Sequence, residues 1–123
     1  MRRTPLTMAE PIDIAAFAEL QASAGADFVV ELIDTFAEEG PQLIAELRAA
    51  LAAGAPERVR RASHALKSNG QTFGALRFAE QARALEMKSQ AGVCADRAEA
   101  EALADEFERA LTALRALAAS RQG

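Results

Sequence analysis

Gly54 to Gly74 reads GAPERVRRASHALKSNGQTFG, and the spacing of polar and apolar residues in this stretch decides the fold. Gly54 and Pro56 mark a stop and a restart, a glycine past the end of one helix and a proline in the first turn of the next. Gly74 is placed to end the segment. On a wheel of about 100° per residue, Glu57, Arg60, Arg61, Lys67, Ser68 and Gln71 fall within about 60° of His64. Val59, Ala62, Leu66 and Phe73 fall within about 40° of the opposite pole. The spacing predicts one amphipathic helix over Pro56 to Phe73, buried on one face and wet on the other. His64 sits in the middle of the wet face.

The same period recurs on both sides. Upstream, Pro11 and Asp13 mark a helix start, and Ile14, Phe17 and Leu20 step along a short amphipathic helix that ends near Ser23 to Gly25. Asp27 opens the next helix, with Phe28, Leu32, Thr35 and Phe36 at helical spacing, then Leu43, Leu47 and Leu51. Gly40-Pro41 interrupts this stripe, since a proline crowds the carbonyl four residues back, here Ala37. Either one kinked helix runs from about Asp27 to Ala53 or two helices meet at Gly40. The stripe resumes without a polar loop, which favours the kink. Downstream, a helix runs from near Ala75 to Gln90 and closes at Gly92. A last one begins at Asp96 and carries Leu103, Phe107, Leu111, Leu114 and Leu117 to about Ala119. There is no strand-like alternation and no internal repeat. The expected fold is all-α: an antiparallel up-down four-helix bundle with a short extra N-terminal helix. The expected domain spans 12–119, between a flexible arm at 1–11 and a frayed end at 120–123.

Composition agrees. A chain of 123 residues is one domain by size, and 50% apolar with 26% charged residues suits an ordinary globule. Alanine is abundant, and alanine and leucine lose little side-chain freedom in a helix. A net charge of −4 gives no reason to expect nucleic acid, which favours a clustered basic surface. Cys94 is alone, so it forms no intrachain disulfide and reads as a small apolar residue. No apolar run approaches the ~20 residues of a membrane span. Met1-Arg2-Arg3 is basic but lacks a following apolar segment, so a secretory signal is not expected and the cytoplasm is. One histidine and one distant cysteine, without paired ligand spacing, do not suggest a metal site.

The wet face of the central helix carries the chemistry. Imidazole is nucleophilic when neutral, and its ordinary pKa of about 6.5 keeps most of it so near neutral pH. Lys67 stands three residues on, where its stem rises beside the ring. Ser68 and Gly70 follow, although both lower helix propensity relative to alanine. Small residues there are expected to leave room for another protein's surface. Phosphoryl transfer asks a protein mainly for positioning and charge stabilisation. Lys67 could offset the charge of such a group, and Arg58, Arg60 and Arg61 make the approach basic, which favours an acidic partner.

The stretch Ala62 to Ala75 resembles the signature of bacterial histidine phosphotransfer (HPt) domains. In that pattern a histidine is followed by leucine and lysine two and three positions on, then small residues, an apolar residue and Gly-Ala. The resemblance extends from about Ile12 to Leu117 through Leu32–Phe36, Gly40-Pro41, the Gly54 break and the Leu85-Glu86 pair. It implies that His64 is the phosphoacceptor through Nε2 and that Lys67 is the phosphoryl-stabilising cation. It also implies that Glu86, 22 positions after His64, accepts a bond from the ring's Nδ1–H. Arg60, Arg61, Ser68 and Gln71 are the expected partner-binding residues. Two positions depart from the pattern: Ser68 stands where glycine is usual, and Asn69 where serine is common.

The resemblance implies a phosphorelay intermediate without kinase activity of its own, exchanging its group with an aspartate of a receiver domain. The partners are response-regulator receivers or a sensor (hybrid) histidine kinase. The chain needs no cofactor, with Mg²⁺ held by the receiver, and a monomer is expected. The sequence has no glycine-rich nucleotide loop. Two alternatives stay open. One is an adaptor of the same fold that is never phosphorylated, for which Ser68 is the support. The other is a phosphoacceptor domain cut from a larger kinase.

Overall fold

The computed structural model describes residues 11–93 and 95–122; residues 1–10 of the arm expected at 1–11, Cys94 and Gly123 of the expected frayed end lie outside the described residues. Five helices follow in order: α1 Ile14–Ala24, α2 Ala26–Ala53, α3 Pro56–Phe73, α4 Leu76–Gln90 and α5 Arg97–Gln122. α3 packs against both α2 and α4, and α5 closes the ring against α2 and α4. The α2–α3 and α3–α4 connections are two residues each, so consecutive helices must run antiparallel. The last helix continues to Gln122, three residues past the expected stop at Ala119.

Local chemistry sets the boundaries. Asp13 caps α1, its carboxylate accepting from the amides of Ala15 and Ala16. Its own amide donates to the carbonyl of Gly74 at 2.8 Å, which ties the short helix to the α3–α4 turn. Gly54 and Gly74 end α2 and α3 in the left-handed conformation, with φ of 62° and 74°, where a side chain would be strained. Asp96 and Glu99 form a reciprocal cap at the start of α5: Asp96 Oδ1 accepts from the Glu99 amide at 3.1 Å, and Glu99 Oε1 from the Asp96 amide at 2.9 Å.

α2 is one helix through Pro41, as the resumed stripe favoured. Gly40 explains why the interruption is there. It is buried, and a methyl group at its Cα would overlap the ring of Phe107 on α5. Phe107 in turn packs on Phe36 and Phe78, with ring centroids 4.9 and 6.0 Å apart, and Phe73 lies 5.2 Å from Phe36. Four phenylalanines, one from each long helix, therefore meet under a glycine. Gly40→Ala should destabilise the protein by about 1–3 kcal/mol through overpacking. A urea titration that left the midpoint unchanged would show that Phe107 can move aside.

Two expected stripes need correction. Ile14 and Phe28 are about half exposed, at 55% and 50%, and Thr35 is exposed. The buried face of α2 is instead Val29, Ile33, Phe36, Gly40, Ile44, Leu47 and Ala50. It lies about one residue round the helix, some 100°, from the stripe expected over its first half. Both sets have helical spacing; the choice falls to the one that faces α3 and α5.

Candidate functional site

α3 turns the face expected to be wet to solvent. Val59, Ala62, Leu66 and Phe73 are buried, whereas Glu57, Arg61, His64, Ser68 and Gln71 are exposed and Arg60 and Lys67 half-buried. Because α4 runs back along α3 after a tight turn, residues late on α4 return to the level of His64. Leu85 packs into the core and Glu86 stands at the edge of the seam. Its side chain is only 8% exposed, against 56% for His64.

The three expected reacting residues come together. Glu86 Oε2 lies 2.8 Å from His64 Nδ1. A carboxylate can only accept, so in the neutral ring the proton is on Nδ1 and the Nε2 lone pair is free. The other carboxylate oxygen, Oε1, lies 2.8 Å from Lys67 Nζ. One buried carboxylate therefore holds both an imidazole and an ammonium. Lys67 does most to keep Glu86 below the usual carboxylate range, and the His64 bond adds to it, against the opposing effect of burial. Lys67 is thus a member of an ion pair, as well as a cation one turn from the ring. Among the described residues Nε2 has no protein hydrogen-bond partner.

Of the expected partner-binding residues, Arg61, Ser68 and Gln71 are open to solvent. Arg60 is drawn to Glu57, which it grips through two bonds, Nε at 3.1 Å and Nη2 at 2.5 Å, so much of its charge is compensated on the spot. Gly70 does not serve the access expected of it. It is buried, and a Cβ there would lie 2.8 Å from Phe78 and 3.2 Å from Ala79. The missing side chain lets α3 and α4 approach closely beside their connecting turn. Ser68 alone keeps the small-residue role on the surface.

Sequence reasoning missed a second buried carboxylate. Glu106 of α5 is 1% exposed and meets Arg77 of α4 and Arg109 of its own helix, each at 3.2 Å. Its only sequence signal is Arg109 three residues on. The same α4–α5 seam is pinned by Lys88 and Glu99 at 2.5 Å. Arg77 and Lys88 lie on either side of Glu86 along α4, so these pairs fix the helix that carries it.

A family model described as Hpt domain matches residues 31–117. The crystal structure of histidine-containing phosphotransfer protein B (HptB) from Pseudomonas aeruginosa PAO1 superposes with a TM-score of 0.70 at 28% identity, covering 92% of this chain and 95% of that one. No curated protein matches the sequence.

Proposed function

The chain belongs to the Hpt-domain family, which works in two-component phosphorelays with receiver domains and histidine kinases, and from that premise we propose that His64 is its phosphoacceptor. In the forward step Nε2 attacks the phosphorus of a receiver's aspartyl phosphate. The N–P bond forms, the P–O bond breaks, and the aspartate leaves as a carboxylate. Nδ1 keeps its proton throughout, held by Glu86. The reverse step returns the group to another receiver.

The observation that carries this reading is the pair of bonds to Glu86, one from Nδ1 and one from Lys67, beneath an exposed ring. The carboxylate sets the tautomer and raises the basicity of the ring. Lys67, one turn away and bound to the same carboxylate as the ring, is a cation on the α4 side to receive the charge of a phosphoryl group, where a charge-assisted bond contributes roughly 1.5–3 kcal/mol. Arg60, Arg61, Ser68 and Gln71 frame the partner's approach. In this reading the protein has no kinase activity of its own and holds no cofactor; Mg²⁺ belongs to the receiver's acidic pocket.

The same reading has the protein acting as a cytoplasmic monomer. Among the described residues the exposed large apolar side chains, Ile14, Phe28, Leu76, Met87 and Val93, are few and spread over several elements. Among the described residues no helix is long and apolar enough to cross a membrane. The test is transfer from radiolabelled, phosphorylated receivers of the source organism. At least one receiver is expected to pass label to this protein, and that label should be acid-labile and base-stable. Failure with every receiver would leave an adaptor that binds without accepting the group.

A further inference from the structure

Resting on the phosphotransfer reading, we propose that the groove between α2 and α3 is part of the docking surface and seats an acidic segment of the receiver domain along its α3 wall. The groove has a volume of about 360 Å³ and is lined by Leu43 and Glu46 of α2 and by Arg58, Arg61 and Ala62 of α3. Leu43 and Ala62 supply its apolar inner part. The α3 wall carries two guanidinium groups and the α2 wall one carboxylate.

Most of the arginines among the described residues are already paired. Arg48, Arg60, Arg77, Arg83, Arg109 and Arg115 each meet a carboxylate. Arg58 and Arg61 do not meet one among the described residues, and both are exposed. Arg97, at the start of α5, is likewise without one but lines a different groove, with Arg48, Ala49 and Ala52 of α2. Two guanidinium groups without a direct carboxylate partner, on one wall of a concave surface, offer forked donors to carboxylates.

The groove is continuous with the phosphoacceptor face. Arg61 stands one turn before His64, and helical side chains lean toward the N-terminus, so the imidazole lies over the turn that carries Arg60 and Arg61. On the helical wheel Arg61 and Arg58 lie about 60° and 120° to one side of His64, and Lys67 lies about 60° to the other. The two flanks of the ring therefore differ. On the α4 flank Lys67 is held by Glu86, and Arg60, about 40° to the same side of the ring, is held by Glu57. On the α2 flank Arg58 and Arg61 meet no carboxylate within salt-bridge distance among the described residues. An acidic partner is drawn to the α2 flank. Glu46 repels a carboxylate placed on its own wall, which directs the acidic segment along α3.

The test measures transfer rate against concentration of a phosphorylated receiver, chosen by its activity on the wild-type protein. Arg58→Glu should raise KM about tenfold at low salt, less at high salt, with the maximal rate changed by no more than about twofold. Arg97→Glu makes the same change in net charge at the start of α5 and should leave KM where it was. Glu46→Gln should lower KM about two- to threefold by removing the repulsion. Equal shifts for Arg58→Glu and Arg97→Glu would mean that only net charge matters and would overturn the proposal, as would a KM indifferent to Arg58. A parallel reaction with phosphoramidate, a small donor that needs no docking and releases ammonia, separates the two levels of inference. Wild-type protein unlabelled by either donor sinks the phosphotransfer reading itself; label from both, with KM insensitive to Arg58, sinks only the groove.

Discussion

His64→Gln should take up no phosphoryl group from any receiver and still fold as the wild type does. The sequence contains a single histidine, so its removal eliminates every possible phosphohistidine at once. Glutamine retains an N–H that can donate to Glu86, but an amide nitrogen has no lone pair available to attack phosphorus. The loss is therefore of the nucleophile alone. Stability should hardly change. The imidazole is 56% exposed, and Glu86 keeps its bond to Lys67 at 2.8 Å. A change below about 1 kcal/mol, or a Tm shift of about 5 °C at most, follows for a surface site of this kind. The measurement is acid-labile label on the variant beside a thermal melt. Full label on a well-folded His64→Gln protein would place the acceptor elsewhere and end the histidine mechanism.

The parts of this site that could be read from the sequence are those that depend on periodicity. One wheel of α3 places His64 on the wet face and Val59, Ala62, Leu66 and Phe73 in the core, and the structure agrees. Glu86 needed more than periodicity. The role expected of it comes from the family's spacing, and the tight turn at Gly74 folds α4 back on α3 so that Glu86 does lie beside His64. That the same carboxylate also binds Lys67 was not visible, because it depends on how deeply Glu86 sinks into the seam. Gly70 shows how a local clue misleads. Its low helix propensity drew attention as if it marked an approach path, yet the wheel sets it about 120° from His64, toward α4. There a glycine permits contact between two helices of the same chain.

Elsewhere the errors share one cause. Periodicity cannot tell which of two adjacent apolar stripes a neighbour will cover. In α2 the pairs Phe28–Leu32 and Val29–Ile33 have equal spacing, and only the placement of α3 and α5 selects the second. Glu106 was missed for the converse reason. A carboxylate beside Phe107 looks like solvent-facing charge until Arg77, 29 positions earlier on another helix, is seen 3.2 Å away. Such a pairing is long-range and leaves no local pattern.

Glu86→Ala should slow phosphoryl acceptance about 10- to 100-fold, the size of effect that follows loss of the carboxylate orienting a metal-binding imidazole. Two consequences oppose each other. Without the acceptor at Nδ1 the ring samples both tautomers and orientations, and it loses the negative charge that strengthens Nε2. Lys67, no longer held at Oε1, becomes free to meet the incoming phosphoryl group. The first effect acts on the nucleophile at every encounter, whereas the second only relocates a cation already one turn away, so the net change is a loss. Glu86→Gln separates the contributions. It retains an oxygen to accept from Nδ1–H but carries no charge, so its rate should fall between wild type and alanine. Stability against pH gives an independent readout. Lys67 and His64 hold the Glu86 carboxyl below its usual range, so the folded value lies under the unfolded value of about 4.3. The stabilisation is fully present above about 4.3 and is lost as the pH falls through the lower folded value. Urea midpoints should therefore differ between wild type and Glu86→Gln at pH 7 and converge in acid. A gap that persists undiminished at pH 2 would show that the carboxylate's charge contributes nothing to holding α3 and α4 together. An unchanged transfer rate in both variants would remove Glu86 from the reaction altogether.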